Sequence, residues 1–315
     1  MNDSYPSVSI LISVFGQADK LKKCLSCVEN TLAGKLNYEI LLVDDFSRDE
    51  TTDLLKSLAR FHRVFFNSKN RGFAVNNNLM AKYAKGEYLC LLNSDAYVEG
   101  DWLSPMLKIL QTKDKVGFVG NVQKLVGSLA YDHMGVVFGP QGNPRHFGQG
   151  FLINPFTVTQ RKWSAVTAAC SLVKRETFIA FGGFDESFIN GCEDVDLCIR
   201  MTRAGFSHHV AHRSVIKHVK GASDGRKKYN KRNYSILMAK WGDSIREIES
   251  VNDQKLHSIT YLHRCFFYPH SANLSAFIDA LKIFLGLKKL PALKNPKVAR
   301  KLALSSSSTA KTIPA

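Results

Sequence analysis

Apolar residues recur along this chain with two periods. Residues 8–14 (VSILISV) form a nearly continuous apolar run, and 38–43 and 88–92 repeat it, as strands covered on both faces of a parallel sheet do. Between them, residues 18–31 set Leu21, Leu25 and Val28 on one helical face. Residues 49–60 and 73–84 read as a second and third helix, with a short third strand at 64–66 and a turn at Asn70-Arg71-Gly72. Strand and helix alternate through short connections, which predicts an α/β sheet with helices on both faces.

The second half is less regular. Residues 117–120 and 162–171 read as strands. Residues 131–156, rich in Gly and Pro with interleaved aromatics, read as a long loop or a small hairpin. Long ordered loops of this kind serve as lids or specificity elements, or simply cover a sheet. Residues 182–205 (GGFDESFINGCEDVDLCIRMTRAG) join a Gly-Gly turn to an acidic cluster, Glu193, Asp194 and Asp196, that opens a helix closed by Gly205. Carboxylates at a helix start are stabilised by the dipole and by free N–H groups, so the cluster alone is compatible with ordinary capping.

Charge changes the picture at the C-terminal end. The chain of 315 residues has a net charge of +16, and from Ala211 onward 20 Lys and Arg face only 6 Asp and Glu. The expected organisation is a domain over 1–245 in two halves (1–100 and 101–245), followed by a basic helical extension (246–315) that is disordered from about 304. In that extension residues 274–290 put Phe277, Leu281 and Phe284 on one face beside Ile278 and Leu285. Such a helix suits an anionic membrane surface, packing on the domain, or a dimer contact. The basic run RKKYNKR (226–232) reads as a solvated face or as a loop closing over a diphosphate.

Seven scattered cysteines fit a reducing compartment better than a disulfide framework, and the lone C-x-x-C of Cys24 and Cys27 lies in a helical pattern, which favours packing over zinc. The start lacks the charge pattern of a signal peptide, and no window reaches the roughly 18 uncharged residues of a membrane span. These features lead us to expect a cytoplasmic protein, peripheral on the inner face of the plasma membrane if the basic helix docks there.

The ends of the apolar strands carry the candidate chemistry. Ligands of such sheets sit beyond the carboxyl ends of the strands, where Asp44-Asp45 and Asn93-Ser94-Asp95 fall. No G-x-G-x-x-G follows the first strand and no G-x-x-x-x-G-K-[ST] exists; the Gly- and Arg-rich loop of sugar-nucleotide pyrophosphorylases is also missing. Acidic strand ends without a phosphate loop suggest that Mn²⁺ or Mg²⁺ bridges protein carboxylate and diphosphate.

Seven motifs in order then resemble the family 2 glycosyltransferases of the GT-A fold, over roughly residues 8–242. They are VSILISVF, LLVDDFSRDET, NRGFAVNNN, LLNSD, GGFDESFINGCEDVDLCIRMTRAG, IKHVKGAS and NYSILMAKWG. The likeness is strongest to the rhamnosyltransferase-like branch of bacterial polysaccharide and lipopolysaccharide enzymes. It implies a Rossmann-like, mostly parallel central sheet flanked by helices, with 1–100 as the nucleotide-binding half and 101–245 as the acceptor half, and inverting transfer from a UDP- or dTDP-sugar to a hydroxyl of a glycan or polyprenyl-linked acceptor. The nucleotide would be held by Ser13, Phe15, Asp45, Arg71, Asn78, Asn93 and Asp95, with Asp45 accepting from the pyrimidine. The metal would be held by Asp95 and His218. Asp194 would be the general base, Glu193 would orient the acceptor, Asp196 would cap its helix, and Asp185-Glu186 would shape the turn. The chain departs from the D-x-D pattern, with Asn93 in the first acidic position and Ala96 after Asp95. That departure keeps a non-catalytic carbohydrate-binding relative in view. The basic charge keeps a nucleic-acid binder in view, although no recognised module accompanies it and acidic strand ends repel a phosphate backbone.

Overall fold

The computed structural model describes residues 7–154, 161–219, 226–249, 251–290 and 293. The expected disordered tail from 304 lies outside them, as do Lys220 to Ser223 of the IKHVKGAS motif.

The first half follows the apolar periods. Strands β1 (Val8–Val14), β2 (Tyr38–Asp44), β3 (Arg63–Phe66) and β4 (Tyr88–Leu92) alternate with helices α1 (Ala18–Leu32), α2 (Thr51–Leu58) and α3 (Gly72–Tyr83). β1 lies between β2 and β4, parallel to both, and β3 extends β2 in parallel. Alternation of the side chains feeds two cores. Leu11, Leu41, Val43, Leu89 and Leu91 face Ala74, Met80 and Ala81 of α3. Ile10, Ile12, Ile40, Leu42, Cys90 and Leu92 face Leu21, Cys24, Leu25 and Val28 of α1. Cys24 of the C-x-x-C is therefore a core thiol, and all seven cysteines are free.

The second half reverses direction. β5 (Ala96–Val98), α4 (Ser104–Thr112) and β6 (Val116–Leu125) precede the short strands β7 (Tyr131–His133), β8 (Val136–Phe138) and β9 (Pro144–His146). β8 and β9 pair as the small hairpin, the second of the two forms expected for 131–156, of which the structure describes 131–154. The single strand expected over 162–171 is interrupted: only β10 (Lys162–Trp163) and, further on, β11 (Cys170–Lys174) are extended. Between them the backbone leaves the sheet so that Thr167, Ala168 and Ala169 line a cavity and Ala168 N–H reaches Asp194.

After α5 (Arg175–Ala180) and α6 (Glu193–Arg203), β12 (Ser207–His218) completes a ten-stranded sheet in the order β10-β12-β6-β11-β4-β1-β2-β3, with β5 on β12 and β7 on β6. β11 is antiparallel to both neighbours and β12 is parallel to β6. The result is the expected GT-A-like architecture, parallel in its first half and mixed in its second.

Helix α7 (Asn230–Ile248) runs through the expected boundary at 245, and α8 (Val251–Phe267) packs on β8. Arg161 and Ser164 both bond the Asp253 carboxylate of α8, so this helix is tied to the sheet. α9 (Leu274–Phe284) stops earlier than the expected 290: Gly286 adopts a left-handed φ of 78°, and Leu287 N–H closes back on Lys282 O at 2.8 Å.

Candidate active site

Three strand ends meet in one cavity of about 410 Å³. Ser13 lies at the end of β1 and Phe15 and Gln17 follow it, Asp45 follows β2, and Asn93, Ser94 and Asp95 follow β4. The opposite half contributes Thr167 to Ala169, Asn190, Gly191, Glu193, Asp194 and His218, and Lys228 and Tyr229 reach in from the turn before α7.

The two aspartates after β2 divide their work. Asp44 Oδ1 accepts from Ser47 N (2.9 Å) and its Oδ2 from Thr52 Oγ (2.6 Å), which fixes the approach to α2. Asp45 Oδ1 accepts from Arg71 N (2.7 Å) and Asn67 Nδ2 (2.9 Å), and Oδ2 from Gly72 N (3.0 Å). The carboxylate thus satisfies free N–H groups at the start of α3 while lining the cavity, and Oδ2 keeps one lone pair free of these bonds. Asn67 passes the network to Asn76 (2.7 Å), and Asn76 Nδ2 donates to Ser13 Oγ (2.8 Å).

Arg71 and Asn78 are not brought to the cavity wall. Arg71 contributes its backbone N–H, with an exposed side chain. Asn78 accepts from Phe184 N (2.9 Å) and donates to Phe184 O (2.9 Å) and Glu186 Oε1 (3.1 Å). It latches α3 to the Gly182-Gly183 turn, where any Cβ on Gly183 would meet Asn78 Oδ1 at 2.4 Å.

Asp95 and His218, 123 residues apart, are joined by a ladder step. β5 and β12 pair antiparallel with Ala96 opposite His218, which brings Asp95 Oδ1 within 3.1 Å of His218 Nε2. Facing a carboxylate that only accepts, Nε2 is assigned the proton. Burial alone would raise the Asp95 carboxyl, but the hydrogen bond and charge of His218 outweigh it and hold Asp95 below the usual carboxylate range. Asn93 Nδ2 lies 3.4 Å from the same ring nitrogen, a contact between two donors in that tautomer and not a hydrogen bond.

A carboxylate oxygen suits hard divalent cations and an imidazole nitrogen suits transition-metal ions. Their 3.1 Å separation is close to the roughly 3.0 Å between adjacent ligand atoms of an octahedral ion with bonds of about 2.1 Å. With the proton moved off Nε2 on metal binding, the pair fits as one edge of such a site. No cluster of three His, Cys, Asp or Glu suited to a metal exists among the described residues, so ligand oxygens or water must complete the shell.

The acidic cluster opens α6 after a loop with left-handed φ at Asn190 (53°) and Cys192 (72°), conformations that cost about 1–3 kcal/mol each outside glycine. Asn190 Oδ1 accepts from Phe73 N at 2.9 Å, which ties this loop to α3. Asp194 Oδ2 accepts from Ala168 N (3.0 Å) and Oδ1 from Val195 N (2.8 Å), and Glu193 Oε2 accepts from Gly191 N (2.6 Å). Asp196 does not cap the helix. Its side chain is fully buried and holds Arg200 Nε (2.9 Å), Trp241 Nε1 (2.8 Å) and Lys240 Nζ (2.6 Å), because its place in the first turn faces α7. The Lys-Trp-Gly motif at 240–242 is thereby explained as an anchor for α6. Asp185 shapes the turn through Ser187 N (2.8 Å) and also receives Lys240 Nζ (2.7 Å).

Residues 9–179 match the model of glycosyl transferase family 2. This chain belongs to that family. It is 34% identical over 212 residues to the O-antigen biosynthesis protein RfbC of Myxococcus xanthus (64% of this chain, 16% of that protein). It is 31% identical over 236 residues to the uncharacterized protein y4gI of Sinorhizobium fredii (70% of this chain, 25% of that protein). The chain thus spans a quarter or less of these two relatives. It spans 62% of a Methanococcus voltae dolichyl N-acetyl-alpha-D-glucosaminyl phosphate 3-beta-D-2,3-diacetamido-2,3-dideoxy-beta-D-glucuronosyltransferase, at 26% identity over 63% of its own length. Two solved structures share the fold. GalNAc-T7 with UDP, GalNAc and Mn²⁺ has a TM-score of 0.64 at 15% identity, covering 98% of this chain and 58% of that one. The mannosyltransferase PcManGT of Pyrobaculum calidifontis with GDP-Man and Mn²⁺ has a TM-score of 0.58 at 18% identity, covering 98% and 81%.

Several participants in the family 2 site were not singled out in the sequence. Asn67 lies outside the motifs, whereas Asn76 and Asn190 lie within NRGFAVNNN and GGFDESFINGCEDVDLCIRMTRAG, where nothing in the sequence distinguishes them from their neighbours. Lys228 and Tyr229 had one, since the run at 226–232 was read either as solvated or as closing on a diphosphate.

Proposed function

We propose that this family 2 domain catalyses inverting transfer of a sugar from a uridine or thymidine diphosphate sugar to a hydroxyl of a glycan or polyprenyl-linked acceptor in cell-surface polysaccharide synthesis. The observation that carries the proposal is the presence, in one cavity, of the Asp95–His218 pair and of Asp194 as a separate carboxylate. The relatives' names and the nucleotides and Mn²⁺ in the titles of the two similar structures support it. Placement in the rhamnosyltransferase-like branch rests on the ordered motifs.

The free lone pair of Asp45 Oδ2 suits the imide N–H of a pyrimidine, which uracil and thymine share, and Phe15 offers an apolar rim to the base. Ser13 and Asn93 flank the path from base to Asp95 along the strand ends. Asp95 and His218 would hold Mn²⁺ or Mg²⁺. A divalent cation there supplies Lewis-acid stabilisation of the departing diphosphate. Among the described residues four carboxylates, Asp45, Asp95, Glu193 and Asp194, otherwise face the cavity against the one ammonium of Lys228, so an anionic donor needs that added charge.

Asp194 acts as general base. Each of its oxygens accepts one backbone N–H and keeps a further lone pair, so the carboxylate is oriented yet open. The acceptor oxygen bonds to the anomeric carbon as its proton passes to Asp194, and the bond from that carbon to the phosphate oxygen breaks with its electron pair leaving on the nucleoside diphosphate. Glu193, buried and fixed to Gly191, orients the acceptor.

The test is product release from a panel of nucleotide sugars with Asp194→Asn. Turnover should fall by at least about a hundredfold, the scale of general-base loss, with UDP affinity unchanged. Undiminished turnover in Asp194→Asn, or binding without turnover in the unaltered chain for every donor and acceptor, would overturn the proposal.

A further inference from the structure

The last described helix, α9, is turned the wrong way for a helix that only packs on its own domain. α9 begins with a built cap, Asn273 Oδ1 accepting from Ala276 N at 3.0 Å, and ends at the left-handed Gly286. It buries only Ala280 and Ile283. At 3.6 residues per turn, Leu274, Phe277, Ile278, Leu281, Phe284 and Leu285 fall in one stripe about 120° wide, centred about 130° from the buried pair. All six are exposed, Leu274 by 75%. At the end of α8, Phe266 (80% exposed), Phe267 and Tyr268 add three exposed rings. Large apolar side chains exposed in this number on two packed helices mark an interaction site.

We propose that this surface seats the chain on an anionic lipid bilayer. Charge decides among the occupants. From Gln254 to the end the sequence carries 10 Lys and Arg and one acidic residue, Asp279. Arg264, Lys282, Lys288 and Lys289 are exposed beside the stripe. A second copy meeting this face would bring like charge against like charge, whereas anionic headgroups complement it. Large apolar side chains with aromatic rings and lysines at the margin are the composition of a helix lying in a membrane interface. No described helix is long and apolar enough to cross a bilayer, and none is required. The purpose of the surface, access to a lipid-linked acceptor, rests on the proposed transferase reading; the docking itself does not.

The experiment is co-sedimentation of the 315-residue chain with phosphatidylglycerol–phosphatidylcholine vesicles and with pure phosphatidylcholine vesicles, together with its sedimentation velocity alone. The chain should partition onto the anionic vesicles and not the neutral ones, with binding weakened by salt. Phe277→Ser with Leu281→Ser should reduce partitioning by more than about tenfold, the scale of losing large buried apolar side chains. Leu129→Ser, at a leucine elsewhere that is 80% exposed, should leave it unchanged, and both variants should keep UDP binding. No partitioning, equal partitioning of the double variant, or a dimer that the double variant dissociates would each overturn the inference. Lost vesicle binding with UDP binding intact would sink the membrane surface alone; vesicle binding without nucleotide binding would sink the transferase reading alone.

Discussion

His218 Nε2 sits 3.1 Å from Asp95 Oδ1 because His218 lies directly opposite Ala96 in the β5–β12 ladder. The pair is therefore positioned by backbone pairing and needs no loop to close. His218→Ala should weaken Mn²⁺-dependent UDP binding by more than about tenfold while leaving the unfolding midpoint within a few degrees of the parent. Calorimetric titration with thermal melts reads both.

Asn78 behaves differently from a ligand-holding residue. Its carboxamide is consumed by Phe184 and Glu186, so Asn78→Ala should cost about 1–3 kcal/mol of stability for the partners left unpaired, with UDP affinity unaltered. Urea unfolding and calorimetry on the same variant separate the two effects.

Trp241 should act in the same way at longer range. Trp241→Phe removes the donor to the fully buried Asp196, with a loss of about 1–3 kcal/mol, and loosens the anchor of α6. Because Asp194 is held by Ala168 as well, UDP binding should persist while turnover falls; steady-state kinetics alongside unfolding curves checks this.

Acid should destabilise the fold through His208. Its Nδ1 accepts from Phe118 N (3.0 Å) and Nε2 bonds Cys198 O (2.9 Å), so a second proton would meet an N–H head-on. Burial pushes this imidazole down to about 4. A depressed folded value means the unfolded chain binds more protons between that value and its ordinary 6.5. Stability is thus complete above pH 6.5 and lost as pH falls towards 4, by on the order of 3 kcal/mol for this fully buried ring. Glu249, raised by burial to about 7, has the opposite sign: its contribution is present below about 4.5 and lost as pH rises through 7. Unfolding free energies across pH 4 to 7 should rise less steeply in His208→Gln and more steeply in Glu249→Gln than in the parent.

The sheet was legible where burial is two-sided. Ile10, Leu11, Ile12 and their counterparts in β2 and β4 are apolar on both faces, a pattern that surface strands do not imitate. β5, three residues long, left no such trace, and with it the contact of Asp95 and His218 was invisible as geometry even though both residues stood out by motif. Direction was the other loss. Spacing put Asn78 and Asp196 on helices, but the neighbour that each side chain meets comes from the 182–186 turn and from α7, over 40 residues away in sequence. For α9 the periodicity revealed an apolar face, and only the packed hairpin with α8 determined that it points outward.

The most direct test of the site is calorimetric titration of UDP and dTDP, with and without Mn²⁺, into the unaltered chain, Asp95→Ala and Asp194→Ala. Binding that requires Mn²⁺, disappears in Asp95→Ala and survives in Asp194→Ala would establish a donor site separate from its base. Failure of the unaltered chain to bind either nucleotide under any condition, or equal affinity in Asp95→Ala, would contradict it.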